Sequence, residues 1–126
     1  MLLHQFFEIK KKSVTEGADK TKIDAQVVIH RSHPIFDGHF PNLPIVPGVC
    51  MVEMTKEILE NYLNTKLFLP SSANIKFLSI INPDNNNELN VEIEFSSSLG
   101  TYLTEARLFW GAITFFKMKG IFSTQL

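Results

Sequence analysis

A histidine on a proline-rich loop is the feature of this sequence best suited to chemistry. His39 lies within residues 33–48, HPIFDGHFPNLPIVPG, which hold four of the chain's six prolines. Proline fixes φ and removes a backbone donor, so a stiff, extended, non-helical loop is expected. An imidazole titrates near neutral pH and can accept a proton, and the N–H groups that start a following helix can bind an anion. The stretch is therefore predicted to form an active site.

The loop leads into an amphipathic helix predicted over Gly48–Leu63, with Pro47 suiting its start. At 100° per residue, the apolar side chains share one half of this helix, while Glu53 and Glu57 fall on the polar half. By position alone, Glu53 is predicted to be a solvent-exposed carboxylate. The apolar half comprises Met51, Val52, Met54, Thr55, Ile58, Leu59, Tyr62 and Leu63.

Six segments with strand-like patterns accompany the helix. They are residues 2–12, 22–30, 73–81, 88–96, 102–110 and 112–123, separated by turns such as SVTEGADKT, NPDNNN, SSLG and Gly111. Two strands, one helix and four consecutive strands predict an α+β fold, in which an antiparallel meander buries the apolar half of the helix. One helix cannot cover both faces of such a sheet, and the chain has 11 phenylalanines, so a dimer contact is expected.

Composition limits the remaining possibilities. The 126 residues suit a single domain, 1–126, and no apolar run approaches the roughly 18 residues that span a bilayer. The first residues lack the pattern of a signal peptide, and the lone cysteine, Cys50, fits a reducing environment, so a cytoplasmic location is expected. A formal net charge of −1 gives no support to nucleic-acid binding.

The loop and helix together resemble the hotdog-fold family of β-hydroxyacyl-(acyl carrier protein) dehydratases. Glu53 follows His39 by fourteen residues, which is that family's spacing between histidine and carboxylate. A second match runs from Lys76 to Pro83. The resemblance implies an antiparallel sheet of about five to six strands wrapped around one central helix. The loop motif is carried by Gly38, His39, Phe40, Pro41, Pro44, Ile45, Pro47, Gly48 and Val49.

Three positions depart from the family's pattern. Asn42 replaces a glycine, the downstream turn reads Pro83-Asp84-Asn85 instead of Pro-Gly-Asp, and Glu57 stands where many relatives carry glutamine. The chain also begins almost directly with a strand. These departures predict a short, pathway-specific homologue.

The resemblance implies that the chain removes water from a 3-hydroxyacyl thioester to give the 2-enoyl thioester. His39 would be the base, Glu53 the acid or water-positioning group, and the Gly48 N–H would receive the thioester carbonyl. No cofactor is expected, because the substrate arrives on the phosphopantetheine of acyl carrier protein or on coenzyme A. A homodimer, with His39 and Glu53 meeting across its interface, and possible further pairing of dimers are also implied. The expected substrate tunnel comprises Phe40, Pro47, Val49 and Cys50.

A neighbouring carboxylate is expected to tune the acid. Glu57 lies one turn from Glu53, and a nearby like charge or burial in an apolar tunnel raises the pKa of a carboxyl group, whereas Lys56 would lower it. Lys66, Lys76 and Arg107 are candidates for contacting an acidic carrier protein, although scattered surface charge is the better explanation for each of them.

Other functions also fit the sequence. A hotdog thioesterase would use the carboxylate to activate water, and a non-catalytic hotdog would bind acyl carriers or complete a heterodimer. His33, Asp37, His39 and Glu53 together could suggest a metal site, but they lack the tight pairs of known sites, so none is predicted.

Overall fold

A computed structural model describes residues 1–38, 43–70 and 72–125. Within these residues the chain forms six strands and two helices. In chain order they are β1 (Phe7–Glu16), β2 (Thr21–Ile29), α1 (Ile35–Gly38), α2 (Gly48–Leu63), β3 (Ala73–Phe77), β4 (Glu88–Ser98), β5 (Thr101–Trp110) and β6 (Ile113–Ser123).

All six strands belong to one antiparallel sheet with the order β1-β2-β4-β5-β6-β3. Strands β4, β5 and β6 are joined by short turns and form the predicted meander. The expectation that β3 would begin this meander was wrong, because β3 pairs with β6 at the far edge. The other edge of β3 has no partner strand among the described residues. The sheet therefore ends in a short strand on which every residue is exposed.

The core lies between one face of the sheet and α2. In β2 and β4, buried residues alternate with partly exposed ones, so Ile23, Val27, Val91 and Ile93 point toward the helix. On the side of the helix, the fully buried residues include Met54, Ile58 and Leu59. This arrangement confirms the predicted α+β class.

The predicted bounds of the long helix are confirmed at Gly48 and Leu63. Asn64 ends it in the left-handed conformation, with φ of 54°, and donates its N–H to the carbonyl of Glu60. Asparagine is one of the few residues that tolerate this conformation at a helix C-terminus. No helix among the described residues is long and apolar enough to cross a membrane.

Several boundaries differ from the sequence-based expectation, and the first strand continues to Glu16 instead of ending at residue 12. The first strand begins at Phe7, because residues 2–6 form a turn in which the Phe6 N–H bonds the Leu2 carbonyl. Strand β3 stops at Phe77, four residues early. The proline-rich loop is not wholly extended, since Pro34 is followed by the helical turn α1; proline is tolerated at the start of a helix.

Candidate active site

The N-terminus of α2 is built around a glycine that an aromatic ring covers. Pro47 precedes the helix in an extended conformation and provides no side-chain cap. A Cβ added to Gly48 would lie 2.8 Å from ring atoms of Phe77, so the ring of β3 packs directly on the helix start. Phe77 also packs on Phe116, with ring centroids 5.7 Å apart. Glycine at this position therefore allows the helix to approach the edge strand closely.

An open apolar groove of about 450 Å³ lies beside this helix start. Its lining includes Ile45, Gly48, Met51, Phe77 and Ile80. Apolar walls with a few backbone donors are typical of a site for an acyl chain. The described helix start therefore has an apolar surface beside the first-turn N–H groups of α2, of which the Cys50 N–H already bonds the Pro47 carbonyl.

The predicted tunnel residues that the structure describes differ in exposure. Phe40 lies outside the described residues. Pro47 is half-buried, Val49 is 70% exposed, and Cys50 is buried behind the helix start. Burial raises the pKa of the Cys50 thiol, which the charge of Glu53 raises further, so this cysteine is a poor nucleophile. The tunnel itself stays a prediction.

Two glutamates one turn apart on α2 form a carboxyl pair that lines one groove. Interaction with the Glu57 carboxyl contributes to raising the pKa of Glu53, and interaction with Glu53 contributes to lowering that of Glu57, as expected for two carboxyl groups that share one proton. The side chain of Glu53 is 27% exposed, whereas Glu57 is 1% exposed. Glu53 is thus the more accessible member of the pair, and Glu57 is almost completely buried beside the same groove.

The N-terminal segment, residues 1–3, covers Glu57 and donates hydrogen bonds to it. The Leu2 N–H donates to both Oε1 and Oε2 of Glu57 at 2.9 Å, and the Leu3 N–H donates to Oε1 at 2.7 Å. The helical pattern assigned Glu57 to a polar half, but this segment covers that part of the helix. The assignment of Glu57 to an exposed half was therefore wrong.

The two carboxyl groups have pKa values displaced in opposite directions. Burial raises the pKa of Glu53 to about 7, with a further contribution from the hydrogen bond and charge of Glu57. Burial alone would also raise the pKa of Glu57, but the hydrogen bonds from Glu53, Leu2 and Leu3 outweigh it and lower that pKa. These directions favour Glu53, the accessible member, as the carboxyl group that is protonated near neutral pH.

A lysine opposes this arrangement only partly. The Lys56 ammonium lies 3.3 Å from a carboxyl oxygen of Glu53 and 3.8 Å from one of Glu60. It favours the ionised form of Glu53, yet the pKa of Glu53 stays well above the ordinary value. Of the two expected opposing effects on the pKa of Glu53, the lowering by Lys56 is thus smaller than the combined raising by burial and Glu57.

The predicted site residues do not all share one cavity. Glu53 lines a second groove, of about 530 Å³, together with Lys56, Glu57, Glu60 and Lys66. Gly48 lines the apolar groove, about 7.5 Å away along the helix axis and about 140° around it. His39 lies outside the described residues, so its position beside Glu53 stays a prediction.

Sequence reasoning missed the N-terminal segment and the role of Phe77. Backbone N–H groups are present at nearly every residue, so no signal in residues 1–3 marks Leu2 and Leu3 as donors to Glu57. Phe77 had a signal, since it lies in the second family-like segment, but nothing in that segment indicated that its ring covers Gly48.

Comparison with known protein families agrees with the geometry. The sequence model of the ApeI-like family, described as ApeI dehydratase, matches residues 13–106. A 3-hydroxyacyl-(acyl-carrier-protein) dehydratase, FabZ, from Chlamydia caviae is 31% identical over 110 residues, covering 79% of this chain and 71% of the relative. FabZ from Rickettsia typhi is 38% identical over 60 residues, which cover only 41% of each chain.

Solved structures show the same fold at low sequence identity. The dehydratase heterocomplex ApeI:P from Xenorhabdus doucetiae aligns with a TM-score of 0.62 at 20% identity, covering 90% of this chain and 98% of that one. An uncharacterized protein from Erwinia carotovora aligns with a TM-score of 0.63 at 16% identity, covering 88% of each. These likenesses confirm the predicted hotdog architecture. With the family match over residues 13–106, they identify this chain as a member of the ApeI-like dehydratase family.

Proposed function

We propose that this protein eliminates water from a 3-hydroxyacyl thioester, giving the 2-enoyl thioester in fatty-acid or related acyl-chain biosynthesis. The observation that carries the proposal is the accessible Glu53 carboxyl, whose pKa is raised to about 7 beside the buried Glu57. Loss of a hydroxyl group needs an acid that is still protonated near neutral pH, and this carboxyl meets that need. FabZ relatives named for the same reaction support the assignment.

Each proposed role follows from the chemistry of elimination. His39 takes the proton from the α-carbon, and Glu53 gives its proton to the β-hydroxyl, which leaves as water while the new double bond forms. The Gly48 N–H, at the positive end of the α2 dipole, stabilises the developing negative charge on the thioester oxygen. The apolar groove beside Gly48 receives the acyl chain. No cofactor enters this scheme.

A homodimer is proposed through β3. This edge strand presents Ile75 and Phe77, and Leu78 and Ile80 follow it; all four are exposed, with Phe77 56% and Ile80 62% exposed. An unpaired strand edge next to apolar side chains favours pairing with another chain. Pairing β3 with its copy would cover the apolar groove of each protomer and join the two sheets.

Acyl carrier protein is the proposed source of substrate. Arg107, Lys117 and Lys76 are cross-strand neighbours on β5, β6 and β3, on the face of the sheet away from α2. Arg107 pairs with Glu92 at 3.1 Å, whereas Lys117 and Lys76 have no acidic partner within 4 Å among the described residues. This cationic row, adjacent to the edge strand that carries Phe77, suits an acidic carrier. Lys66, by contrast, lies at the Glu53 groove.

Product identity tests the proposal. The wild-type protein is incubated with a 3-hydroxyacyl chain on acyl carrier protein, and the carrier is analysed by mass spectrometry and by a free-thiol assay. Loss of one water from the bound chain supports dehydration, and its rate should fall by about 10²- to 10⁴-fold in Glu53→Gln but not in the surface variant Glu94→Gln. Release of free thiol instead would identify a thioesterase.

A second candidate function is a subunit of a heterodimeric dehydratase. The structural neighbour from Xenorhabdus doucetiae is named as a heterocomplex, which motivates it. In that case this chain would bind the carrier without turnover, and water loss would appear only when a second hotdog chain is added. Turnover by the purified chain alone would exclude this alternative.

A further inference from the structure

Glu57, the buried member of the carboxyl pair, does more than pack in the interior. Glu57 accepts a bifurcated hydrogen bond from the Leu2 N–H, 2.9 Å from each carboxylate oxygen, and one from the Leu3 N–H at 2.7 Å, while being 1% exposed. Backbone N–H groups only donate, so they favour the ionised carboxylate, which only accepts. We propose that Glu57 is a positioning residue that keeps the Glu53 carboxyl in its protonated form, with Leu2 and Leu3 holding Glu57 ionised. The inference rests on the proposed role of Glu53 as the acid.

The N–H bonds to Glu57 favour one location for a shared proton. The N–H groups of Leu2 and Leu3 bond both oxygens of the Glu57 carboxylate, which favours its ionised form and leaves the proton to Glu53. Glu53 lines the open groove with 27% of its side chain exposed, so its proton faces the space that a substrate hydroxyl would enter. A proton on Glu57 would face the N–H groups of Leu2 and Leu3 and lose their bonds.

Charged groups around the pair come from three parts of the chain. Lys56 and Glu60 lie on α2 itself, where Glu60 also accepts the Leu67 N–H at 2.7 Å. The amino group of Met1 approaches Glu57 from the N-terminal segment and helps to keep it ionised. Lys66 lines the same groove, after the end of the helix. Of these groups, Lys56 alone makes an ion pair with Glu53 among the described residues, and it acts against the proton.

Glutamine at position 57 would have the opposite effect on the acid. Its amide NH₂ would donate to Glu53 and stabilise the ionised carboxylate, whereas the fixed Glu57 carboxylate repels that charge and accepts the proton. The identity of residue 57 therefore sets the upper pH at which Glu53 can still act as an acid.

The test measures protonation directly in the full chain. Side-chain ¹³C carboxyl resonances of labelled protein are followed from pH 4 to 9, and Glu53→Gln identifies the Glu53 signal. We expect the Glu53 signal to titrate near pH 7 in wild type and at lower pH in Glu57→Gln, where the contribution of burial remains and that of Glu57 is lost. Glu92→Gln, which removes a half-buried carboxylate on the opposite face of the sheet, should leave the Glu53 signal unchanged.

Activity provides a second readout. Relative to wild type, kcat/KM of Glu57→Gln should be lower at pH 8, by about tenfold for each unit by which the pKa of Glu53 falls, and should approach wild type only below both pKa values. A wild-type Glu53 signal that titrates in the ordinary range overturns the inference. So does a Glu57→Gln protein in which that signal still titrates near pH 7.

Two outcomes separate this inference from the proposed function. A protein that shows the expected titrations but forms no enoyl product keeps the carboxyl pair and loses the dehydratase assignment. If Glu57→Gln does not fold, Lys56→Met replaces it: removing the opposing ammonium should move the Glu53 titration to higher pH. A Lys56→Met titration that moves to lower pH overturns the inference.

Discussion

Glu53 and Glu57 show how position alone divides one chemical group into two roles. Both are carboxyl groups on the same helix, one turn apart, yet the pKa of Glu53 is raised to about 7 and that of Glu57 is lowered. Burial acts to raise the pKa of both, but the N–H groups of Leu2 and Leu3 bond Glu57 and not Glu53, and they help to lower the pKa of Glu57. A protonated acid and a fixed negative charge thus arise from identical side chains.

The raised pKa of Glu53 predicts a defined pH dependence of stability. Because the folded state raises this pKa from 4.5 to about 7, the contribution is fully present below about pH 4.5 and is lost as pH rises to about 7. The free energy of unfolding of wild type relative to Glu53→Gln, measured by urea denaturation, should fall through this window.

Glu92 provides a comparison with the opposite sign. Its hydrogen bond and ion pair with Arg107 lower its pKa, so wild type should lose stability relative to Glu92→Gln as pH falls below about 4.5. A constant difference between wild type and Glu53→Gln from pH 4 to 8 would contradict the raised pKa.

The sequence was informative about the pair but not about its burial. Spacing of four on a helix placed Glu53 and Glu57 side by side, and both line the same groove in the structure. Burial of Glu57 depends on Leu2 and Leu3, more than fifty residues earlier, which act through their backbones. A helical wheel contains no information about such a cover, so it placed Glu57 on the exposed half.

At the scale of elements, α2 and β3 meet through Gly48 and Phe77. Gly48→Ala should place a methyl group 2.8 Å from the Phe77 ring and cost about 1–3 kcal/mol of stability by overpacking. In a Phe77→Ala background the same substitution should cost less, because the ring is gone. Urea denaturation of the four proteins in this double-mutant cycle measures the coupling; equal costs in both backgrounds would contradict the contact.

The cationic row across β5, β6 and β3 predicts carrier affinity. Lys76→Glu should raise the Kd for acyl carrier protein by about 3- to 10-fold, with the effect shrinking at high salt. Lys11→Glu makes the same charge change on exposed β1, near the other edge of the sheet, and should have little effect. Equal losses in the two variants, measured by isothermal titration calorimetry, would exclude the row as the docking surface.

Local signals predicted the elements better than their arrangement. The ends of α2 were predictable because proline precedes it and Asn64 follows it, both local features. The position of β3 beside β6 was not, because strand order depends on long-range pairing that residues 73–77 do not encode alone. The short helix α1 was missed because Pro34 was interpreted only as a helix breaker, although proline also starts helices.

At the scale of the whole molecule, the two halves of the proposed site lie in separate grooves of one protomer. The Glu53 groove and the apolar groove beside Gly48 open on different sides of α2. The exposed edge strand and the apolar side chains that follow it lie next to the second groove. A second copy paired at this edge is the proposed means of bringing His39 of one protomer to Glu53 of the other.

Complementation between two inactive variants tests this account most directly. His39→Ala and Glu53→Gln are purified separately, mixed under conditions that exchange subunits, and assayed for 2-enoyl thioester formation. In a dimer with sites shared across a two-fold axis, half of the molecules become mixed, and each mixed dimer has one intact site, so about a quarter of wild-type activity should return. A mixture that stays as inactive as either variant, despite verified subunit exchange, would contradict the shared site.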